Sequence, residues 1–181
     1  MKSLQNKTKL IILLGLVAGL FLQCEKKDDD KDKTLLLGLA ALTNSPGDCT
    51  VSAPPRASIN TWSNPVTANG TATISKIGSV PIVGHQTAAL KLTAKNGTAV
   101  ALSGNAFVIV YQSSTCPLSN STRSGFTPTS LTDSNSEFTN SYTVSGTGTI
   151  TFTTAADYYI FFYAIPSRGQ SASVTYVVTG L

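Results

Sequence analysis

Histidine, tryptophan and methionine each occur once in this chain of 181 residues, and charged residues make up 12% of it. The single histidine limits catalysis, because a hydrolytic triad needs a histidine or an equivalent base beside its nucleophile. His85 stands in "VGHQT" at the expected start of a strand, where we interpret it as a turn histidine. One imidazole without a neighbouring carboxylate makes a poor ligand set, so the sequence predicts no metal and no other cofactor.

Carboxylates are also few from Cys49 onward. A carboxylate pair for glycoside hydrolysis would have to come from Asp133, Glu137 and Asp157, and the first two stand in a stretch rich in Ser, Thr and Asn. The glycines of "VSGTGTIT" are expected inside strands, so they do not predict a phosphate-binding loop. We therefore expect a protein that is not an enzyme.

Positive charge is not concentrated anywhere along the chain. The formal net charge of +4 includes three lysines that precede Cys24, and the remaining 10 basic residues stand against 9 acidic ones. From Cys49 onward the basic residues are scattered, so no basic stripe exists that could follow a phosphate backbone. Nucleic acid is not an expected partner.

No apolar run is long enough to span a bilayer as a helix. Residues 10–22 form a charge-free run of 13 residues behind a lysine-bearing start, whereas a spanning helix needs about 20. This pattern predicts a secretory signal over residues 1–23, the alternative being an uncleaved anchor with Cys24 incidental. The signal ends in "FLQC", which resembles the permissive lipobox of spirochaete-type bacterial lipoproteins. The resemblance implies cleavage before Cys24, palmitate-type acylation of Cys24, and attachment to the cell envelope, in the outer membrane.

Residues 24–48 are predicted to be a tether. The mixed-charge run "EKKDDDKDK" cannot bury apolar surface and should stay solvated, which would hold the rest of the chain away from the membrane. The apolar run "TLLLGLAAL", residues 34–42, is too short to span a bilayer. It could pack on the domain as a short helix, lie at the membrane interface, or dock a partner.

Residues 49–181 lack a sustained helical period and are predicted to form one all-β domain. Ser and Thr supply 46 of the 181 residues, and Gly and Pro separate short runs of β-type sequence. The predicted strands are 71–77, 87–94, 98–103, 106–112, 138–145, 148–154, 158–165 and 171–179. Eight strands of this length indicate a two-sheet antiparallel β-sandwich of jelly-roll or immunoglobulin-like type.

One hairpin can be predicted to its register. Leu90 and Leu92 share one face of their strand, Val100 and Leu102 share one face of the next, and Asn96-Gly97 lies between them. A three-residue loop over residues 95–97 would place Leu92 opposite Val100 and Leu90 opposite Leu102, giving one apolar face.

The densest apolar segment, "DYYIFFYAI" at residues 157–165, predicts a central strand with both faces engaged. Tyr159, Phe161 and Tyr163 share one face, where they could form an aromatic platform for ligand binding, as in jelly-roll carbohydrate-binding modules. Alternating aromatics are more often core, so the favoured interpretation packs them inside the domain or under a loop.

Three cysteines are an odd number for an exported protein. Lipidation of Cys24 would leave Cys49 and Cys116 as an even pair, and we predict a disulfide between them, the alternative being two buried reduced thiols.

These features favour a lipid-anchored envelope protein that presents its β-sandwich as a binding or adhesion module for a protein or glycan ligand. The Ser/Thr/Asn-rich stretch over residues 113–135 supports this interpretation if it carries recognition, although it could equally be a solvated loop. The alternative is a structural or periplasmic interaction lipoprotein. A further resemblance, carried by "GTGTITFTTAADYYIFFYA", is to small β-sandwich domains appended to secreted bacterial peptidases.

Overall fold

The computed structural model describes residues 47–80 and 83–181. The signal, Cys24 and residues 34–42 lie outside the described residues, so what the sequence predicts for them stays a prediction. Within the described part, strands dominate, the helical structure amounts to a single 3-10 turn, Pro166–Arg168, and no helix could span a membrane. The strands are β1 (Cys49–Val51), β2 (Ile59–Thr61), β3 (Ser63–Pro65), β4 (Gly70–Thr73), β5 (Gly78–Val80), β6 (His85–Ala94), β7 (Ala99–Gln112), β8 (Ser121–Thr122), β9 (Phe126–Thr129), β10 (Thr132–Asp133), β11 (Ser141–Phe152), β12 (Ala156–Ala164) and β13 (Thr175–Thr179).

The predicted all-β sandwich is confirmed, and two long strands organise it. β7 and β11 pair antiparallel along most of their length, from Ala99 opposite Thr151 to Ile109 opposite Ser141. The other edge of β7 pairs first with β13 and then with β12, and β12 in turn pairs with β6. β4 extends the sheet beyond β13, while β3 and β5 extend it beyond β6.

The main core lies between the two halves of this folded sheet. Alternate residues of β6, β7, β11, β12 and β13 enter one contiguous apolar cluster, in which Leu90, Val100, Ile150, Ile160 and Val178 are almost fully buried. Because these strands lie in different halves of the sheet, the halves must pack face to face around the cluster. Period-two alternation in the sequence therefore identifies this face of each strand.

β12 is central and buried on both faces, as the sequence predicted. Its second face belongs to another apolar cluster, which the sheet of β1 and β2 covers together with Phe138 and Leu118. The side chains that β7 contributes to this cluster are Phe107, Ile109 and Tyr111. The molecule thus has a covering layer outside the sandwich.

The disulfide between Cys49 and Cys116 is present and fastens the covering layer. The Cα atoms of the two cysteines lie 5.4 Å apart, and 67 positions separate them in the sequence. Beside the bond, the Leu118 amide donates to the Thr50 carbonyl over 2.8 Å, and the Ser52 amide donates to the Leu118 carbonyl over 2.7 Å. The chain is therefore held at its entry into the domain by both a covalent bond and backbone hydrogen bonds.

The predicted hairpin register is wrong. Leu92 lies opposite Tyr158 and Leu90 opposite Ile160, because β12 stands between β6 and β7. The four predicted core residues do share one apolar cluster, but β6 and the start of β7 reach it from different halves of the sheet. Alternation identifies a buried face without identifying the neighbouring strand, which explains the error.

Several predicted strand limits also differ. The strands predicted over 98–103 and 106–112 are one strand, β7, and those over 138–145 and 148–154 are one strand, β11, which begins only at Ser141. Glycine at the predicted breaks, Gly104 and Gly146, lies inside these strands. The stretch over residues 113–135 carries β8, β9 and β10.

Candidate ligand-binding site

The aromatic side chains proposed as a platform lie inside the second apolar cluster. Tyr159 and Tyr163 are 3% and 2% exposed, and Phe161 is completely buried. A buried ring offers no face for a sugar to stack on, so these three residues do not form a binding platform. Packing beneath a covering segment, the favoured sequence interpretation, is what the structure shows.

A depression opens at the end of β12, where Tyr163 meets the covering layer. Its volume is about 650 Å³, within the range of small-ligand sites. We call it the Arg56 depression and define it by its lining: Pro55, Arg56, Ala57, Ser58, Ile59, Val80, Val83, Ser136, Glu137 and Tyr163.

Arg56 lies in the segment that connects β1 to β2. Its amide donates to the Ala53 carbonyl over 3.0 Å, which closes a turn and directs the chain across the cluster. The guanidinium carbon lies 5.2 Å from the ring centroid of Phe138 and 5.6 Å from that of Tyr163. Such cation–π contacts contribute about 0.5–1 kcal/mol each at exposed sites, and they restrain a side chain that would otherwise sample many rotamers.

The rings beneath Arg56 are themselves fixed. Phe138 and Tyr163 pack with centroids 4.9 Å apart, and Phe107 meets Phe138 edge-on at 5.3 Å. Phe138 is completely buried although it lies outside a strand, between β10 and β11. Tyr163 is the one of these three rings that lines the depression, and Phe138 and Phe107 pack behind it.

His85 begins β6, as predicted, and has a side-chain partner that the sequence did not reveal. Its Nδ1 lies 2.5 Å from the hydroxyl oxygen of Tyr163, and the two rings meet edge to face at 5.3 Å. Burial lowers the pKa of His85 below its ordinary 6.5, and the positive charges of Arg56 and Arg168 lower it further. The imidazole is thus neutral at neutral pH. Burial raises the pKa of Tyr163, with Arg56 opposing that shift, so the phenol keeps its proton.

The three carboxylates considered for catalysis have separate partners. Glu137 accepts from Arg168 at 3.2 Å, Asp133 accepts from Arg123, and Asp157 accepts from the Thr93 hydroxyl at 2.5 Å. The Arg123 hydrogen bond, with a further one from the Asn135 amide, holds the pKa of Asp133 below its usual value. Across residues 47–80 and 83–181, no three His, Cys, Asp or Glu side chains come together as a metal-ligand group.

The Ser/Thr/Asn-rich stretch does not itself line the Arg56 depression. Arg123 ties this stretch to the rest of the domain, donating to Asp133 and to the Ser141 carbonyl while lying 4.5 Å from the Tyr142 ring centroid. Ser136 and Glu137, which follow it directly, do reach the depression. A smaller depression of about 310 Å³ lies elsewhere, beside Trp62, Ser75, Lys76 and Ile77.

No protein-family model, curated protein or solved structure matches this chain.

Proposed function

We propose that this protein is a lipid-anchored component of the bacterial cell envelope that binds a ligand in the Arg56 depression. The observation that carries the binding part is the guanidinium of Arg56, held over two rings at the edge of a depression of about 650 Å³. Sites for small ligands combine an apolar lining with a few oriented polar groups in this manner. The anchoring part rests on the signal-like residues 1–23 and on Cys24.

Binding fits the depression better than catalysis does. A histidine that acts as a general base is usually oriented by a carboxylate, which also stabilises the charged imidazolium. His85 instead meets a phenol and two nearby cations, which disfavour its protonation. The arrangement therefore presents the positively charged guanidinium of Arg56 to a ligand, and it supplies neither a general base nor a nucleophile.

Acyl labelling tests the anchoring part. Cells that make the wild-type chain should incorporate a palmitate analogue into it, whereas Cys24→Ala should remain an unlabelled precursor of higher mass. Normal labelling of the Cys24→Ala chain would overturn the proposed anchor.

Protease shaving of intact cells tests whether the domain is presented to the outside. Loss of the domain without lysis supports a surface binding or adhesion module. Complete protection would favour the alternative, a structural or periplasmic interaction lipoprotein.

A further inference from the structure

We infer that the Arg56 depression selects a small monocarboxylate with a partly apolar body. The inference rests on the proposed function, in that it names the class of ligand for the same site. Charge, geometry and lining each point to this class.

Charge is the first argument, because Arg56, a positive group of the depression, has no ion-pair partner among the described residues. Arg168 is paired with Glu137 over 3.2 Å, so these two charges largely cancel. The two ion pairs found within the described residues are this one and Arg123 with Asp133, so no described carboxylate forms an ion pair with the Arg56 guanidinium. Since His85 is neutral at neutral pH, a single negative charge on the ligand would balance the site.

The geometry of Arg56 is the second argument. A guanidinium is a planar fork that donates two parallel hydrogen bonds to a carboxylate. The guanidinium carbon lies 5.2 Å from the ring centroid of Phe138 and 5.6 Å from that of Tyr163, while the residue as a whole remains exposed. These ring contacts restrict the position of the guanidinium before a ligand arrives, which reduces the entropy lost on binding.

A phosphate group suits the site less well than a carboxylate does. A phosphate monoester approaches two negative charges at neutral pH, and one guanidinium balances only one of them.

The remaining lining is the third argument. Val83 is 54% exposed, and it borders the depression together with Val80 and Ile59. An apolar ligand body placed here would remove this surface from water. Ser58 and Ser136 also line the depression, and their hydroxyl groups favour a ligand whose body is only partly apolar.

Ligand-observed NMR with the full-length chain in a mild non-ionic detergent tests the inference. The probes are hexanoate, the uncharged hexanamide, glucuronate as a sugar acid, and inorganic phosphate. Hexanoate should bind at least about tenfold more tightly than hexanamide, since a charge-assisted hydrogen bond is lost with the amide. Equal binding of acid and amide, or tighter binding of phosphate, would overturn the carboxylate assignment. Tighter binding of glucuronate than of hexanoate would overturn the inference that the ligand has a partly apolar body.

Two variants, each lacking one positive charge, distinguish binding at the depression from a general effect of the protein's net charge. Arg56→Gln should weaken hexanoate binding about tenfold or more, and Lys76→Gln, which lies outside the depression, should leave it unchanged. A third variant, Glu137→Gln, should strengthen binding severalfold because it leaves Arg168 without its ion-pair partner and so adds an unpaired positive charge beside the depression. It provides an independent test if Arg56→Gln fails to fold. Unchanged affinity in Arg56→Gln, or no gain in Glu137→Gln, contradicts the inference.

Failure here can be distinguished from failure of the proposed function. If the four probes do not bind but small molecules from the envelope perturb residues of the depression, the binding site stands and its ligand class is wrong. If neither perturbs the depression, the site itself is wrong.

Discussion

Gly104 and Gly146 lie directly opposite each other on β7 and β11. Both have positive backbone φ angles, +155° and +85°, which L side chains rarely adopt. On its other edge, β7 pairs with β13 up to Ser103 and with β12 from Phe107 onward. Gly104 lies where this change of partner strand occurs. The glycine pair thus marks where the sheet turns to enclose the main core.

Gly104→Ala should destabilise the domain by about 1–3 kcal/mol. The added Cβ would lie 3.2 Å from Val174 Cγ2, and alanine disfavours the φ angle of this position. The exposed neighbour Thr147→Ala should cost no more than about 0.5 kcal/mol. Urea unfolding, monitored by circular dichroism, measures both changes. Equal unfolding midpoints for the two variants would mean that β7 tolerates a side chain at position 104.

Leu92→Asp should prevent folding. The side chain is 3% exposed within the main core, and burying an unpaired carboxylate costs several kcal/mol. Lys91→Asp, on the opposite face of β6, should cost only about 1 kcal/mol through loss of the ammonium contact with the Tyr159 ring. Soluble yield and thermal melting distinguish the two, and a folded Leu92→Asp chain would contradict the assigned core.

Removing the disulfide should lower stability while leaving the anchor in place. With 67 positions between the cysteines, the chain-entropy model gives about 4 kcal/mol, so the Cys49→Ser/Cys116→Ser chain should melt markedly lower. Wild-type protein treated with a reductant should lose a similar amount. Palmitate labelling of the double variant should stay normal, because the predicted lipid site is Cys24. Two free thiols in denatured, unreduced wild-type protein would show that the bond does not form.

Stability should decrease as pH falls below about 6.5, through His85. Because its folded pKa lies below the ordinary 6.5, the unfolded chain binds a proton first as pH falls, and folding stability is lost until the folded form is also protonated. The groups around it are Tyr163, Arg56 and Arg168, the last paired with Glu137. Unfolding free energies measured between pH 7.5 and pH 5 should show this decrease in the wild type and not in His85→Gln. A decrease of equal size in both chains would assign it to other groups.

Local patterns were sufficient to predict the fold class, the two buried faces of β12 and the disulfide. Each depends on alternation along one strand or on counting residues. The neighbour of β6 could not be predicted, because Leu92 would be buried equally well opposite Val100 or across the core from it. Only pairing between distant segments decides between these arrangements, and alternation carries no information about it.

The candidate site was not predictable for the same reason. Arg56, His85, Glu137 and Tyr163 come from four separate segments, which meet only after β6 and β12 pair and the covering layer closes. Nothing near Arg56 in the sequence marks it as different from the other scattered basic residues. The conspicuous signal, alternating aromatics in β12, indicated burial, and of these residues only Tyr163 borders the depression.

Mapping amide chemical shifts of the full-length chain tests the central claim, ligand binding in the Arg56 depression, most directly. Small molecules extracted from the envelope of the producing cells would be added to the labelled chain, with Arg56→Gln as the control. We expect shifts concentrated at residues 55–59, 136–137 and 163, and their loss in Arg56→Gln. Shifts concentrated beside Trp62 and Lys76, or equal in the two chains, would contradict the claim.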